Sequence, residues 1–289
     1  ILMTQFPSAD SGQIVDDEKR SGVALAAALQ SRFSLWDRLH ITPGLRVESY
    51  FSERSVLRER APQPDGSVAI RDVATNGRSS VYALIPGLGV SARLLRPLTV
   101  FAGVHRGFSP PRSKDAVSPG GQNLQLDPEL SWNYELGLRI AQRRWLQVEA
   151  AGFLLDFENQ IIPPSEAAGA VSGGAFNSGR SRHAGIEWSS SFDLAGLLRA
   201  RRLSTPLLIS YTYLPLAAFV GGVNDGGRLP YAPPHLLSAQ LRIAHAAGFS
   251  AQAGVVFFGS QLADKDGTRF PSLDGLVGEI PAYATVDAR

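Results

Sequence analysis

Period-two alternation of apolar and polar residues runs through most of the chain. It restricts the fold to long β-strands, each with one apolar and one polar face. Trp132, Tyr134, Leu136, Leu138 and Ile140 alternate with Asn133, Glu135, Gly137 and Arg139. Ile41, Leu45, Val47 and Phe51 alternate with Thr42, Gly44, Arg46, Glu48 and Ser52. The same pattern sets Leu237, Ala239, Leu241 and Ile243 against Ser238, Gln240 and Arg242, and Phe249, Ala251, Ala253, Val255 and Phe257 against Ser250, Gln252 and Gly254. About eleven strands are expected, near 22–33, 39–53, 79–92, 97–108, 131–142, 145–160, 181–193, 206–218, 235–246, 249–261 and 281–289. Most run about 10–16 residues, against roughly 5–6 in soluble domains and about 9–11 for a tilted strand crossing a hydrocarbon layer.

The connections alternate between short and long. Ser34–Arg38, Arg93–Arg96, Arg143-Arg144 and Ala246–Gly248 are short, and Ala195–Thr205 is of medium length. Arg54–Arg78, Ser109–Leu130, Ile161–Arg180, Val220–Pro234 and Ala263–Ile280 are long. Soluble folds have no reason to alternate in this way. A membrane barrel does, with tight turns on one side and long loops on the other. Aromatic residues fall at both expected interfaces: Trp36, Trp145 and Phe249 beside short turns, and Phe51, Phe108, Trp132, Phe157 and Phe257 toward the long loops. Three irregularities are expected. The apolar phase changes within Trp145–Gln160, which implies a bulge near Ala151-Gly152. Pro43 implies a local irregularity in its strand. The run Asp16–Arg20 reads as a solvated loop. The uncharged stretch Leu203–Asn224 is long enough for a membrane helix, but Pro206, Pro215 and its own alternation make it a strand and a loop.

Composition removes several functional classes. The 289 residues, enough for one large domain or two, include 44% hydrophobic residues, which excludes a disordered chain. The absence of cysteine excludes a disulfide scaffold, a thiolate metal site and a Cys nucleophile. A net charge of +2 without a basic patch argues against nucleic acid as a partner. His40, His105, His183, His235 and His245 have no metal-ligand spacing, and His105 and His183 belong to polar faces. Gly87-Leu-Gly-Val-Ser-Ala92 lacks the helix and the acidic residue of a dinucleotide site. No G-x-S-x-G motif occurs, and Asp264-Lys-Asp-Gly267 lacks the later ligands of a calcium loop. The Gly/Pro-rich segments Ser109–Pro111, Ser118–Gly121, Ser172–Gly174 and Gly221-Gly222 read as exposed turns. No signal peptide is visible at Ile1, and the chain stops inside a strand-like segment, Tyr283–Arg289, so it reads as a fragment.

Several strings resemble TonB-dependent outer-membrane receptors. They are Thr42-Pro-Gly-Leu-Arg-Val-Glu48, Arg106-Gly-Phe-Ser-Pro-Pro111 and Leu126-Asp-Pro-Glu-Leu-Ser-Trp-Asn-Tyr-Glu-Leu-Gly-Leu-Arg139. Phe157-Glu-Asn-Gln160 followed by Asn177-Ser-Gly-Arg-Ser-Arg-His-Ala-Gly-Ile-Glu187 continues the series in the family's order. The resemblance covers nearly the whole chain and is nearest to ferric citrate receptors. It implies an all-β, transmembrane antiparallel β-barrel, of which residues 1–289 would be a fragment with about 11 of ~22 strands. The plug domain and the C-terminal strands would lie outside it.

The resemblance also implies uptake of a ferric chelate, citrate or another siderophore complex, without covalent catalysis. Iron would be chelated cargo and not a resident cofactor. The TonB–ExbB–ExbD complex would act through the plug, and the barrel would stand as a monomer in the bacterial outer membrane, against lipid and lipopolysaccharide. Gln160 is the first candidate ligand contact. It follows Asp156 and Glu158, expected on the inward face, and matches the family's Asn-Gln pair. Arg106, Arg112, Arg180 and Arg182 are further candidates, because a guanidinium fork pairs with carboxylates; Arg182 falls on the lipid-facing phase. Arg46, Glu48, Glu135, Arg139 and Glu187 are expected to pair with each other or with the plug. The alternatives are a passive porin, an outer-membrane enzyme such as a phospholipase, and a soluble β-sandwich or propeller.

Overall fold

The computed structural model describes residues 2–4, 14–63, 67–118, 120–142, 145–162, 176–221, 225–264, 266–273 and 277–289. Its strands are β1 (Leu2–Thr4), β2 (Ile14–Gln30), β3 (Phe33–Leu35), β4 (Leu39–Pro62), β5 (Val68–Arg93), β6 (Leu98–Ser109), β7 (Glu129–Gln142), β8 (Leu146–Ile162), β9 (Phe176–Asp193), β10 (Leu203–Ser204), β11 (Pro206–Phe219), β12 (His235–His245), β13 (Ser250–Phe258), β14 (Gln261–Leu262), β15 (Glu279–Ile280) and β16 (Tyr283–Ala288). Two single-turn helices, α1 (Ser113–Ala116) and α2 (Leu194–Leu197), sit in connections. The long strands form one antiparallel sheet in the order β1-β2-β4-β5-β6-β7-β8-β9-β11-β12-β13-β16. Sequential neighbours pair, as in an up-and-down barrel, and the sheet does not close on itself. Among the described residues no helix is long and apolar enough to cross a membrane, and Leu203–Ser204 and Pro206–Phe219 are strand, as their alternation requires.

Register turns the sequence alternation into two continuous surfaces. Leu88, Val104, Tyr134, Leu154, Ala184 and Leu216 are successive cross-strand partners and form an apolar row on the outward face. On the inward face Thr99, Arg139, Glu149, Ser189, Ser210 and Ser238 form an equally continuous polar row. The outward face is an apolar band for lipid, and the inward face is polar in the way of a barrel interior. The outward aromatics mark both edges of that band. Phe51 and Tyr82 meet edge-on toward the long loops, and Trp145 and Phe192 do so toward the short turns. In the three-residue turn between the paired Leu35 and Leu39, Trp36 and Asp37 take left-handed φ values of 51° and 54°.

The strands outrun the expected ones where charge hides the alternation. The connection Arg54–Arg78, expected as a loop, is the paired continuation of β4 and β5, with Val56 opposite Thr75 and Pro62 opposite Val68. The Asp16–Arg20 run is likewise strand, with Asp17 opposite Arg58 and Arg20 opposite Arg54. Both protrude past the aromatic edge, where lipid no longer covers the outward face and an apolar row there is no longer required. Pairing there is supported by Arg58–Asp72 at 2.6 Å and Arg60–Asp16 at 2.7 Å. The Pro43 irregularity lies on the partner side. β2 ends at Gln30 opposite Gly44, β3 resumes at Phe33 opposite Ile41, and Pro43, with no N–H to donate, faces the gap between them.

The bulge expected near Ala151-Gly152 is absent. β8 pairs without interruption from Leu146 to Glu158 against β7, so Phe153, Leu155 and Phe157 share the inward face with Glu149. The register breaks instead between Phe157 and Gln160, where Asn159 has a φ of 55°. Leu136, exposed at mid-depth on the outward row, tests the assignment of faces. In the assembled protein Leu136→Arg is expected to cost about 2–4 kcal/mol of stability in the bilayer, and Gln147→Arg on the inward face much less, as measured by denaturant unfolding from lipid vesicles.

Candidate functional site

The inward wall and its mouth at the long-loop end gather the polar chemistry. At mid-wall the charges are paired. Arg46 Nε donates to Glu48 Oε2 at 2.8 Å, and Arg139 Nε to Glu149 Oε2 at 2.5 Å. Arg46, Glu48 and Arg139 are thus committed to the wall as the sequence suggested, with Glu149 as the unforeseen partner. Beside Arg139 the wall is lined by Gln147, Ser189, Ser191, Ser210, Ser238 and Gln240. Short hydroxyls and amides make that stretch of the wall polar. His105 and His183 belong to the inward rows, and His183 stands against Phe157 with ring centroids 5.2 Å apart. No cluster of three metal-ligating side chains occurs among the described residues.

The candidate contact residues separate onto two faces. Arg106 is opposite Trp132 in register and therefore outward. Its guanidinium lies 5.0 Å over the Trp132 ring and 2.8 Å from Glu158. Arg182 is outward as well, 3.1 Å from Asp156, with Arg180 4.0 Å from the same carboxylate. Asp156 and Glu158, expected inward, are thus outward, in register with Trp132 and Leu130. The reason is the uninterrupted pairing of β8: without a slip at Gly152, even positions keep facing out beyond the apolar band, where charge is no longer costly. The left-handed Asn159 then inserts one extra residue, and Gln160 comes opposite Gly179, in the inward row of Ser181 and His183. Gln160 therefore takes an inward register position for a reason that the sequence did not reveal; its side chain lies outside the described residues. Arg112 is at the mouth, just before α1, about two-thirds exposed (64%) and 2.5 Å from Asp115.

The sequence reading missed Glu18, Arg20 and Arg54, which face inward at the mouth. Arg54 Nε donates to Glu18 Oε2 at 2.8 Å, and Glu18 also pairs with Arg20. The signal was present: Arg54 continues the even phase of Arg46, Glu48 and Ser52. Counting the segment as loop concealed it.

A second acidic position has a structural role. Asp264 Oδ1 accepts the amides of Asp266 and Thr268 at 2.9 and 3.2 Å, and Oδ2 accepts that of Gly278 at 3.0 Å. Burial alone would raise its pKa, but these amides outweigh it and hold the carboxyl below its ordinary value. A depressed carboxyl stabilises the loop above the ordinary carboxylate pKa and loses that contribution as pH falls through the lowered one. Asp264→Asn is therefore expected to speed hydrogen exchange at the Thr268 and Gly278 amides at neutral pH. Acidification through the lowered pKa should reduce the protection factors of the same amides, corrected for the intrinsic pH dependence of exchange, in the unmodified protein.

The fold is shared with solved receptors. The unliganded ferric citrate transporter FecA superposes with a TM-score of 0.71 at 24% identity, over 98% of this chain and 39% of that one. The ferric yersiniabactin uptake receptor FyuA from Yersinia pestis gives 0.66 at 18%, over 94% and 38%. The siderophore receptor PiuA from Acinetobacter baumannii gives 0.67 at 14%, over 94% and 37%. The chain spans about two fifths of the length of these structures. No curated protein matches it in sequence. The family model for the TonB dependent receptor-like β-barrel matches residues 3–289. The chain accordingly belongs to the TonB-dependent receptor β-barrel family, a family of receptors and transporters and not of enzymes.

Proposed function

We propose that the protein is an outer-membrane receptor that takes up a ferric chelate, with ferric citrate or another siderophore complex as cargo. The observation that carries this reading is the two-faced wall, apolar outside and charge-paired polar inside, in a chain of this family. Iron is cargo held by its own chelator; the protein supplies polar contacts and no metal ligands. Gln160 and Arg112 are the proposed contacts, both at the mouth and neither placed in the outward row. Arg112 suits an anionic chelate because its planar fork can accept a carboxylate in exchange for Asp115.

Arg106, Arg180 and Arg182 face the headgroup level above Trp132, where lipopolysaccharide phosphates are the proposed neighbours. Opening would be driven by TonB–ExbB–ExbD acting on a plug domain, with the barrel working as a monomer.

In the whole receptor, Gln160→Ala and Arg112→Met are each expected to weaken ferric citrate binding, measured by calorimetry, by roughly 10–100-fold, the cost of one hydrogen bond to a charged group. Unchanged affinity would remove that residue from the site. Arg106→Met is expected to leave chelate affinity unaltered. Steady single-channel conductance in the absence of TonB would point to a porin instead.

A further inference from the structure

Among the described residues the two most deeply buried apolar side chains, Val117 and Ala116 at 0% and 1% exposed, belong to the connection between β6 and β7, a loop folded into the mouth, and Leu126 of the same loop is 5% exposed. α1 of this loop packs on β2, β4 and β5. The wall is shaped to receive it. A Cβ at Gly77 would collide with the Val117 side chain and with the Gly121 carbonyl, so only glycine permits this approach. Gly121 itself has a φ of 79° and lies against the Asn76 backbone. Arg54 ties the loop down. Its Nη1 donates to the carbonyl oxygens of Lys114 at 3.1 Å and Val117 at 2.7 Å, and its remaining nitrogens hold Glu18. Arg20 stands opposite Arg54 in register, a like-charge pair that Glu18 offsets by contacting both.

We propose that Arg54 is a positioning residue: with Gly77 leaving room for the approach, it latches the β6–β7 loop onto the inner wall and so sets where Arg112 stands at the mouth. A single guanidinium suits this task because its fork can span two loop carbonyls and a wall carboxylate at once. Arg112 is separated from Val117 only by the four residues of α1, so releasing Val117 releases Arg112 with it. The latch follows from the wall and loop geometry; its consequence for cargo rests on the proposed function.

The test uses Val117→Cys in the full-length receptor assembled in membrane vesicles, free of other cysteines and without cargo. Maleimide labelling is read against Leu273→Cys, an exposed loop position. Val117→Cys should label at least tenfold more slowly than Leu273→Cys. Adding Arg54→Met or Gly77→Val should bring it to within threefold of that control, with heat-modifiable assembly intact. Fast labelling before either change, or continued protection after Arg54→Met, overturns the latch. If Arg54→Met does not assemble, Arg54→Gln, which cannot span both carbonyls and Glu18, decides in its place. The link to Arg112 is read by a double-mutant cycle on ferric citrate affinity. Arg54→Met should cost about as much as Arg112→Met, and the pair together no more than either; additive losses, or no loss from Arg54→Met, overturn the positioning role. A receptor that binds no ferric chelate at all refutes the proposed cargo, and the labelling still decides the latch.

Discussion

Backbone hydrogen bonding in an apolar solvent governs this structure. Inside a hydrocarbon layer no water is present to satisfy N–H and C=O groups, so each strand must pair along its whole length with both neighbours. The order β2-β4-β5-β6-β7-β8-β9-β11-β12-β13, with every neighbour antiparallel, meets that requirement by pairing strands that follow one another along the chain. The period-two side-chain pattern follows from it. Once pairing is continuous, each strand must present one row to lipid and one to the interior, and a one-residue slip would exchange the two.

That last property explains why a single left-handed residue matters. Up to Glu158, β8 keeps strict phase with β7, which sends Asp156 and Glu158 outward to meet Arg182 and Arg106. Asn159 breaks the phase against β9, and the next residue opposes Gly179 in the inward row. The charged outward cluster therefore follows from unbroken pairing up to Glu158, and the inward placement of Gln160 from the bulge that comes after it. They also show where the apolar band ends. Beyond Trp132 and Tyr82 the strands continue in water, and ion pairs replace lipid contact as the lateral support.

Most of the fold was legible in the sequence because lipid imposes apolar rows that water does not. The strands at 97–108, 131–142 and 206–218 lie within two residues of the observed β6, β7 and β11. Legibility failed at Arg54–Arg78 and Asp16–Arg20, where both faces of the hairpin are polar and alternation is no longer forced. The inward placement of Arg46, Glu48 and Arg139 could be anticipated from phase, whereas the pairing of Arg139 with Glu149 was not. The outward placement of Arg106, Asp156 and Glu158 could not be read together, because a change of apolar phase looks the same whether it comes from a bulge or from leaving the bilayer.

The sequence by itself determined the class: long two-faced strands, tight turns on one side, long connections on the other, and a string of motifs shared with one receptor family. Alternation suffices for this because side-chain direction is a local property of extended backbone. Only the tertiary structure decided which polar groups share a space. The meeting of Arg54 with the Lys114 and Val117 carbonyls, across a gap that Gly77 leaves open, joins segments some sixty residues apart, |i−j| of 60 and 63. No local pattern encodes that contact, because it depends on how far a loop can fold back onto a wall built by other strands.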